Sequence, residues 1–354
     1  MGLGYLTQGR AFVSFVDPSS AAIAPVMSAV AQGGGREMSA AADYLGPGAI
    51  EINRYQTEIV DMVRRRLPFG QRINQTPATG QPSRYFEQLA IPTAGFSDPR
   101  ALTTTASQPQ RQERALTLKA ITAQINYGLF DVEVNQQQGQ FAYLEAKDLT
   151  DTVDGVLKLH DATLWTGNDT DLLVATSNQY YGVSGQIFAG ASASNGNVGL
   201  VIPASGSLVD GVKLQIATMA NRTDYEVRPS ACYMPPLFLN LFDKEAKTFQ
   251  LYFNQVEILP GVVVEGIPTQ MGVLPLVGDP AITVFGNQGG GTSLYTGFIV
   301  SEDLVEFHYL TDPLPRVFQL GLLGNLAAQY VCVKFGGVVV KGANYGHTWF
   351  STTR

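Results

Sequence analysis

Residues 64–114 constrain this chain more than any other stretch, because they are ordered by nothing within their own sequence. The segment holds eight arginines (Arg64, Arg65, Arg66, Arg72, Arg84, Arg100, Arg111 and Arg114), no lysine and three acids (Glu87, Asp98 and Glu113). It is therefore a basic insert in a chain whose net charge is −7. Pro68, Pro77, Pro82, Pro92, Pro99 and Pro109 interrupt it, so neither a helical period nor a sustained strand alternation develops. A compact domain seldom carries so long an irregular loop unless a partner orders it. Opposite charges in one sequence make another copy of the chain the expected partner. For Arg64, Arg65 and Arg66 two readings stand: cations at a solvated helix end, or an intersubunit contact.

The other 300 or so residues have ample material for a core, as 45% of the 354 residues are hydrophobic. Two lobes are expected from the length. Only 15% are charged, which fits a surface largely covered by neighbours. The acidic balance opposes nucleic-acid binding by the whole chain, although an arginine-lined face could meet phosphate. Cys232 and Cys332 each sit among apolar residues, as small buried thiols do, and a reducing cytoplasm fits them. No apolar run reaches membrane-spanning length.

Residues 1–58 read as an N-terminal arm with a glycine hinge at Gly33-Gly34-Gly35. RYFEQLAI (84–91) is a strand candidate, and a return strand begins near Ala115, giving a long two-stranded hairpin. The apolar phase changes between Leu116, Leu118 and Ile121, Ala123, Ile125, which predicts a bulge where the arm meets the body. A long amphipathic helix follows, with Leu149, Val153, Val156, Leu157 and Leu164 inward, Lys147, Asp151, Asp154, Lys158 and Asp161 outward, and Gly167 as its stop. Ser207-x-x-Asp210 opens a second helix with Leu208, Val212, Ile216 and Met219 inward. Pro235-Pro236 starts a third. Near the end Val305, Phe307 and Tyr309 alternate, and Gly336-Gly337 reads as a hairpin turn between valine-rich strands.

Catalytic and metal-binding patterns are missing: no His-Glu-x-x-His, no Cys-x-x-Cys, no Gly-x-Ser-x-Gly. His160, His308 and His347 read as structural, His308 on the polar side of its strand. Asn168-Asp169-Thr170-Asp171 reads as turn chemistry, and the glycines at 289–291 lack a phosphate-binding lysine. No enzyme activity and no cofactor or metal are expected.

The order of these parts resembles the major capsid protein of tailed bacteriophages, the Hong Kong 97 fold. ALTLKAITAQINYGLFDVEVNQ running into the helix, DATLWTGND, Gly266-Ile267-Pro268, Gly278-Asp279-Pro280 and FGGVVVKGANYGHTW carry the resemblance. It implies an α+β chain with an N-terminal arm (1–58), a peripheral domain (59–66 and 115–167) with a spine helix at about 139–166, an extended loop (67–114), an axial domain (168–290) and peripheral return strands (291–354). It implies self-assembly through hexamers and pentamers into an icosahedral virion shell, built in the host cytoplasm around double-stranded DNA. A decoration or cement protein, a scaffold and a portal are the further partners implied, and no membrane. The eight arginines become intersubunit contact candidates. With no lysine in 67–114, the lysine–asparagine crosslink of one branch of that family is not expected to use this loop. An encapsulin-like compartment is the alternative shell, and an enzyme with a long lid loop the alternative from another class.

Overall fold

The computed structural model describes residues 4–6, 10–12, 66–100, 107–128, 130, 144–190, 199–221, 228–249, 253–283, 285–286, 293–323 and 327–354. The chain divides into two units, Met1–Val60 and Asp61–Arg354. In the first, β1 (Gly4–Leu6) and β2 (Arg10–Phe12) pair antiparallel, with Leu6 opposite Arg10. The remainder of the arm, together with Arg64 and Arg65, lies outside the described residues.

The second unit is built on two sheets. One has the order β7-β17-β13-β8-β11-β10-β9, with β12 (Phe285–Gly286) also on β13. Its strands are β7 (Leu200–Ile202), β8 (Ala231–Met234), β9 (Asn254–Leu259), β10 (Val262–Thr269), β11 (Gly272–Gly278), β13 (Ser293–Val300) and β17 (Thr348–Thr353). β8 sits at its centre, and all four of its residues, ACYM, are buried, as a strand covered on both faces requires. Alternation then divides the core. Cys232, Met234, Leu276 and Ile299 face α4 (Leu208–Ala220) and α5 (Pro236–Phe249), while Tyr233, Val277, Phe298 and Val300 face the other way.

The helices begin where side-chain chemistry starts them. Ser207 Oγ accepts the Asp210 backbone N–H at the start of α4, and Leu208, Val212, Ile216 and Met219 are buried as expected. Glu245 on α5 reaches the same end, accepting the Leu208 N–H at 2.8 Å and the Ser207 hydroxyl at 2.6 Å. A carboxylate there complements the helix dipole.

The second sheet centres on β16 (Ala327–Val340), fourteen residues long. Along one edge runs β6 (Lys119–Gly128); along the other lie β15 (Arg316–Leu323) and β14 (Val305–Tyr309) end to end, since Val333 and Gly336 each pair on both sides. β3 (Asn74–Pro77) adds to β14 in parallel. Gly336-Gly337 is thus no turn. The strand runs through it, and the glycines leave room for neighbours: a Cβ at Gly336 would collide with the Phe307 ring, and one at Gly337 would crowd Leu116.

α2 (Leu144–Thr166) packs across β6 and β16. Trp165 closes it, fully buried between Phe69, Tyr233 and Phe298 at ring distances of 4.5, 5.4 and 5.2 Å. Gly167 follows the helix, its N–H still bonded to Thr163 O at 3.0 Å, and the position excludes a side chain because a Cβ would strike the Tyr180 carbonyl. Asp161 departs from the solvated face assigned to it. It is buried because α1 (Pro68–Arg72) packs there, and it accepts the Leu67 N–H and the Arg66 guanidinium, both at 3.0 Å. Asp279, of the Gly278-Asp279-Pro280 motif, takes the Phe69 N–H and the Trp165 indole N–H, so two carboxylates hold the start of α1.

Residues 68–77, placed in the extended loop, form α1 and β3 inside the body. Residues 291–354, expected as peripheral return strands, divide between the sheets: β14, β15 and β16 join β6, whereas β13 and β17 join the sheet of β8 to β11.

Candidate assembly surface

β4 (Ser83–Ala90) and β5 (Gln110–Leu116) form the hairpin, pairing from Ser83 opposite Leu116 to Ala90 opposite Gln110. The return strand starts earlier than Ala115 because the hairpin and β6 are separate strands of separate sheets. The phase change at Leu116 to Ile121 marks that switch and not a bulge. Thr117 N–H donates to Leu172 O at 2.8 Å, its hydroxyl to Leu173 O at 2.7 Å, and Leu118 N–H to Gln81 Oε1 at 2.9 Å. Lys119 then pairs with Asp169 at 2.6 Å. Burial opposes ionisation of Asp169, but Lys119, Thr176 and Thr170 outweigh it and hold its carboxyl well below the usual range. Asp171 caps the same loop by accepting the Leu173 N–H, so 168–171 is turn chemistry, as the sequence indicated.

Under the hairpin root lies a polar chain that the sequence did not reveal. Ser83 Oγ is 2.9 Å from His308 Nδ1, His308 Nε2 is 3.2 Å from Glu306, and Glu306 accepts from Lys341 Nζ at 2.5 Å. Tyr85 stands beside both, its ring 6.2 Å from the His308 ring and 5.8 Å from the Lys341 ammonium. Gly342 N–H donates to Glu87 at 3.1 Å. His308 is consequently buried, not on a wet strand face, and burial pushes its pKa down against the pull of Glu306. Ser, His and Glu in sequence look like a nucleophile relay, yet Ser83 is fully buried and no substrate atom can approach it. The only signal available was the spacing of Glu306 and His308 on one strand face, since Ser83 lies 225 residues away.

Among the described residues, the hairpin beyond its root meets little of its own chain. Residues 91–100 are exposed throughout, and Phe86, Ile91 and Phe96 present their rings and side chain to solvent. Between the root and α3 (Val183–Gly190) is a cleft of about 230 Å³, lined by Tyr85, Glu87, Arg114, Gln186 and Tyr345 among others.

The candidate arginines separate by position. Arg66 and Arg72 are tied into the body: Arg66 to Asp161, and Arg72 through a two-pronged pair with Glu302, both contacts 2.6 Å, plus Ile258 O at 2.8 Å. Arg84 and Arg114 brace the hairpin from strand to strand, with Glu113 at 2.7 Å and Glu87 at 3.3 Å. Arg100 and Arg111 lie exposed on its outer part. The structure does not bring the six described arginines together as one patch.

Among the described residues no group of His, Cys, Asp or Glu is arranged to hold a metal, and no helix is long and apolar enough to cross a membrane. Cys232 and Cys332 are free and buried.

No family model and no curated protein matches the chain. Solved structures do. The capsid asymmetric unit of cyanophage A-1(L) superposes with a TM-score of 0.58 at 11% identity, covering 87% of this chain and 98% of that one. The chain has the Hong Kong 97 capsid fold. A Gordonia phage Cozz structure gives 0.55 at 13% identity over 86% of this chain and 91% of its own, and an encapsulin complex from Synechococcus elongatus 0.51 at 13%, over 88% and 94%. The Hong Kong 97 fold thus accounts for the α+β composition, the long helix and the projecting hairpin together.

Proposed function

We propose that this chain is the shell subunit of a tailed-phage capsid, a structural protein without catalysis that assembles with copies of itself through hexamers and pentamers. The hairpin carries the reading. A two-stranded ribbon is marginal by itself in water, and this one exposes Phe86, Ile91 and Phe96 while a buried polar root fixes its base. An adjacent subunit supplies the missing cover. Arg84, Arg100, Arg111 and Arg114 are the intersubunit candidates that remain on the projecting part, whereas Arg66 and Arg72 act within the protomer. In this reading residues 78–116 form the extended loop and 144–166 the spine helix. Double-stranded DNA fills the enclosed volume, held without sequence preference, and the particle is a virion assembled in the host cytoplasm. Decoration, scaffold and portal proteins are its further partners.

A compartment shell is the second reading, favoured by the likeness to the encapsulin complex. Contents of the native particle separate the two: nucleic acid for the first, a cargo protein for the second.

Excising the hairpin tests the shared premise. Ser83 and Leu116 are directly opposed, so a short turn can replace residues 84–115 without stretching the body. The variant should keep its far-ultraviolet circular dichroism and a cooperative melt but form no shells in electron micrographs. Shells at normal yield would overturn the role given to the hairpin.

A further inference from the structure

β15 leaves an edge of the second sheet open. Its inner edge pairs with β16, from Arg316 opposite Val333 to Leu323 opposite Ala327, and among the described residues no strand pairs with its outer edge. Both of its faces are also wet: Val317 is 43% exposed, Phe318 47% and Leu320 58%. Leu310 and Leu314 extend the apolar surface into the preceding loop. An open strand edge with exposed apolar side chains on both faces is a template for another strand. Proteins usually blunt such edges with lysine, proline or brevity. Two other edge strands of this sheet carry such features: β3 has four residues and ends in Pro77, and β6 begins with Lys119. In RVFQLGLL the one charge is Arg316, and it stands at the strand's beginning.

We propose that β15 is a self-complementary edge, paired antiparallel with the β15 of a second copy of this chain across a two-fold axis. The inference rests on the shell reading and adds a contact to it that does not involve the hairpin. The charge distribution selects the geometry. Antiparallel pairing sends the two Arg316 side chains to opposite ends of the joint, where each already has Asp312 at 3.5 Å, while parallel pairing would set them side by side. The joint centres on Arg316–Gln319, the stretch in regular register with β16; the register slips between Gln319 and Leu322. A two-fold contact presents the same strand from both sides, so its partner is always present in equal amount. One strand edge falls well short of the roughly 1,200–2,000 Å² of a free-standing interface. It therefore joins copies that other contacts already hold near one another, as between neighbouring rings of a shell.

Single cysteines at Val317, Phe318, Gln319 and Leu320 test the joint, with Leu237→Cys as an equally exposed control on another surface. Both native cysteines are buried, so background crosslinking is low. After mild oxidation of assembled wild-type-like particles, at least one strand position should give a disulfide-linked dimer at more than tenfold the control's yield. Leu320→Lys should leave the protomer's melting temperature unchanged and cut shell yield at least tenfold. Shells that form normally from Leu320→Lys, or strand cysteines that never exceed the control in intact shells, would overturn the pairing. Should the chain form no shells but give dimers through these cysteines that Leu320→Lys abolishes, the shell reading falls and the β15 joint stands.

Discussion

His347 shows how a single buried side chain sets the pH response. It is fully buried, its Nδ1 accepts the Ser301 N–H at 3.4 Å and its Nε2 lies 3.2 Å from Lys341 O. Burial dominates and pushes its pKa down to about 4, against a smaller rise from the Lys341 carbonyl. A base with a depressed folded pKa binds more protons when unfolded, so its contribution is complete above about 6.5 and is lost as the pH falls towards 4. The loss is bounded at about 3 kcal/mol, from 1.36 kcal/mol per pKa unit. His160 and His308 are shifted in the same direction by burial. Urea midpoints measured from pH 7 to pH 4 should therefore decline, and His347→Gln should flatten part of that decline. An unchanged slope in the variant would remove His347 from the account.

At the scale of elements, Arg72 decides between two uses of arginine. It joins α1 to β9 through Ile258 O and to the turn at 302–304 through Glu302, which also accepts the Tyr233 hydroxyl. The Glu302 hydrogen bond outweighs desolvation and raises the Arg72 pKa. Removing one member of a largely buried pair strands the other, so Arg72→Leu should cost about 3 kcal/mol in chemical denaturation. Arg111→Leu, on the exposed hairpin, should leave the midpoint unchanged and act only on assembly. The reverse pattern would show that the arginines had been sorted wrongly. Sequence alone could not sort them, because Glu302 lies 230 residues from Arg72. What it could read was local. α4 was legible from Ser207, Asp210 and a regular apolar stripe, and the hairpin from its extended, proline-bounded strands. Asp161 was misread since helical spacing predicts a face but not which neighbour covers it. Gly336-Gly337 was misread since a glycine pair serves equally for a turn and for close packing against Phe307. The membership of β13 and β17 in the sheet of β8 depends on pairing across more than fifty residues, which leaves no periodic trace.

For the whole molecule, two features among the described residues are ones a solitary protomer would not maintain: a ribbon with exposed aromatic residues and an open β15 edge. The proposed shell supplies a context in which both are covered. Each protomer would extend its hairpin over one neighbour and meet another along a strand edge, and the low charge content leaves much of the remaining surface suited to contact. The most direct measurement is the mass of the purified full-length chain in solution, by light scattering and by electron cryomicroscopy of the same sample. Closed particles of many 38.1 kDa subunits, with hairpins lying on adjacent copies, are the predicted result. A single 38.1 kDa species that persists at high concentration, with its hairpin folded against its own body, would contradict it.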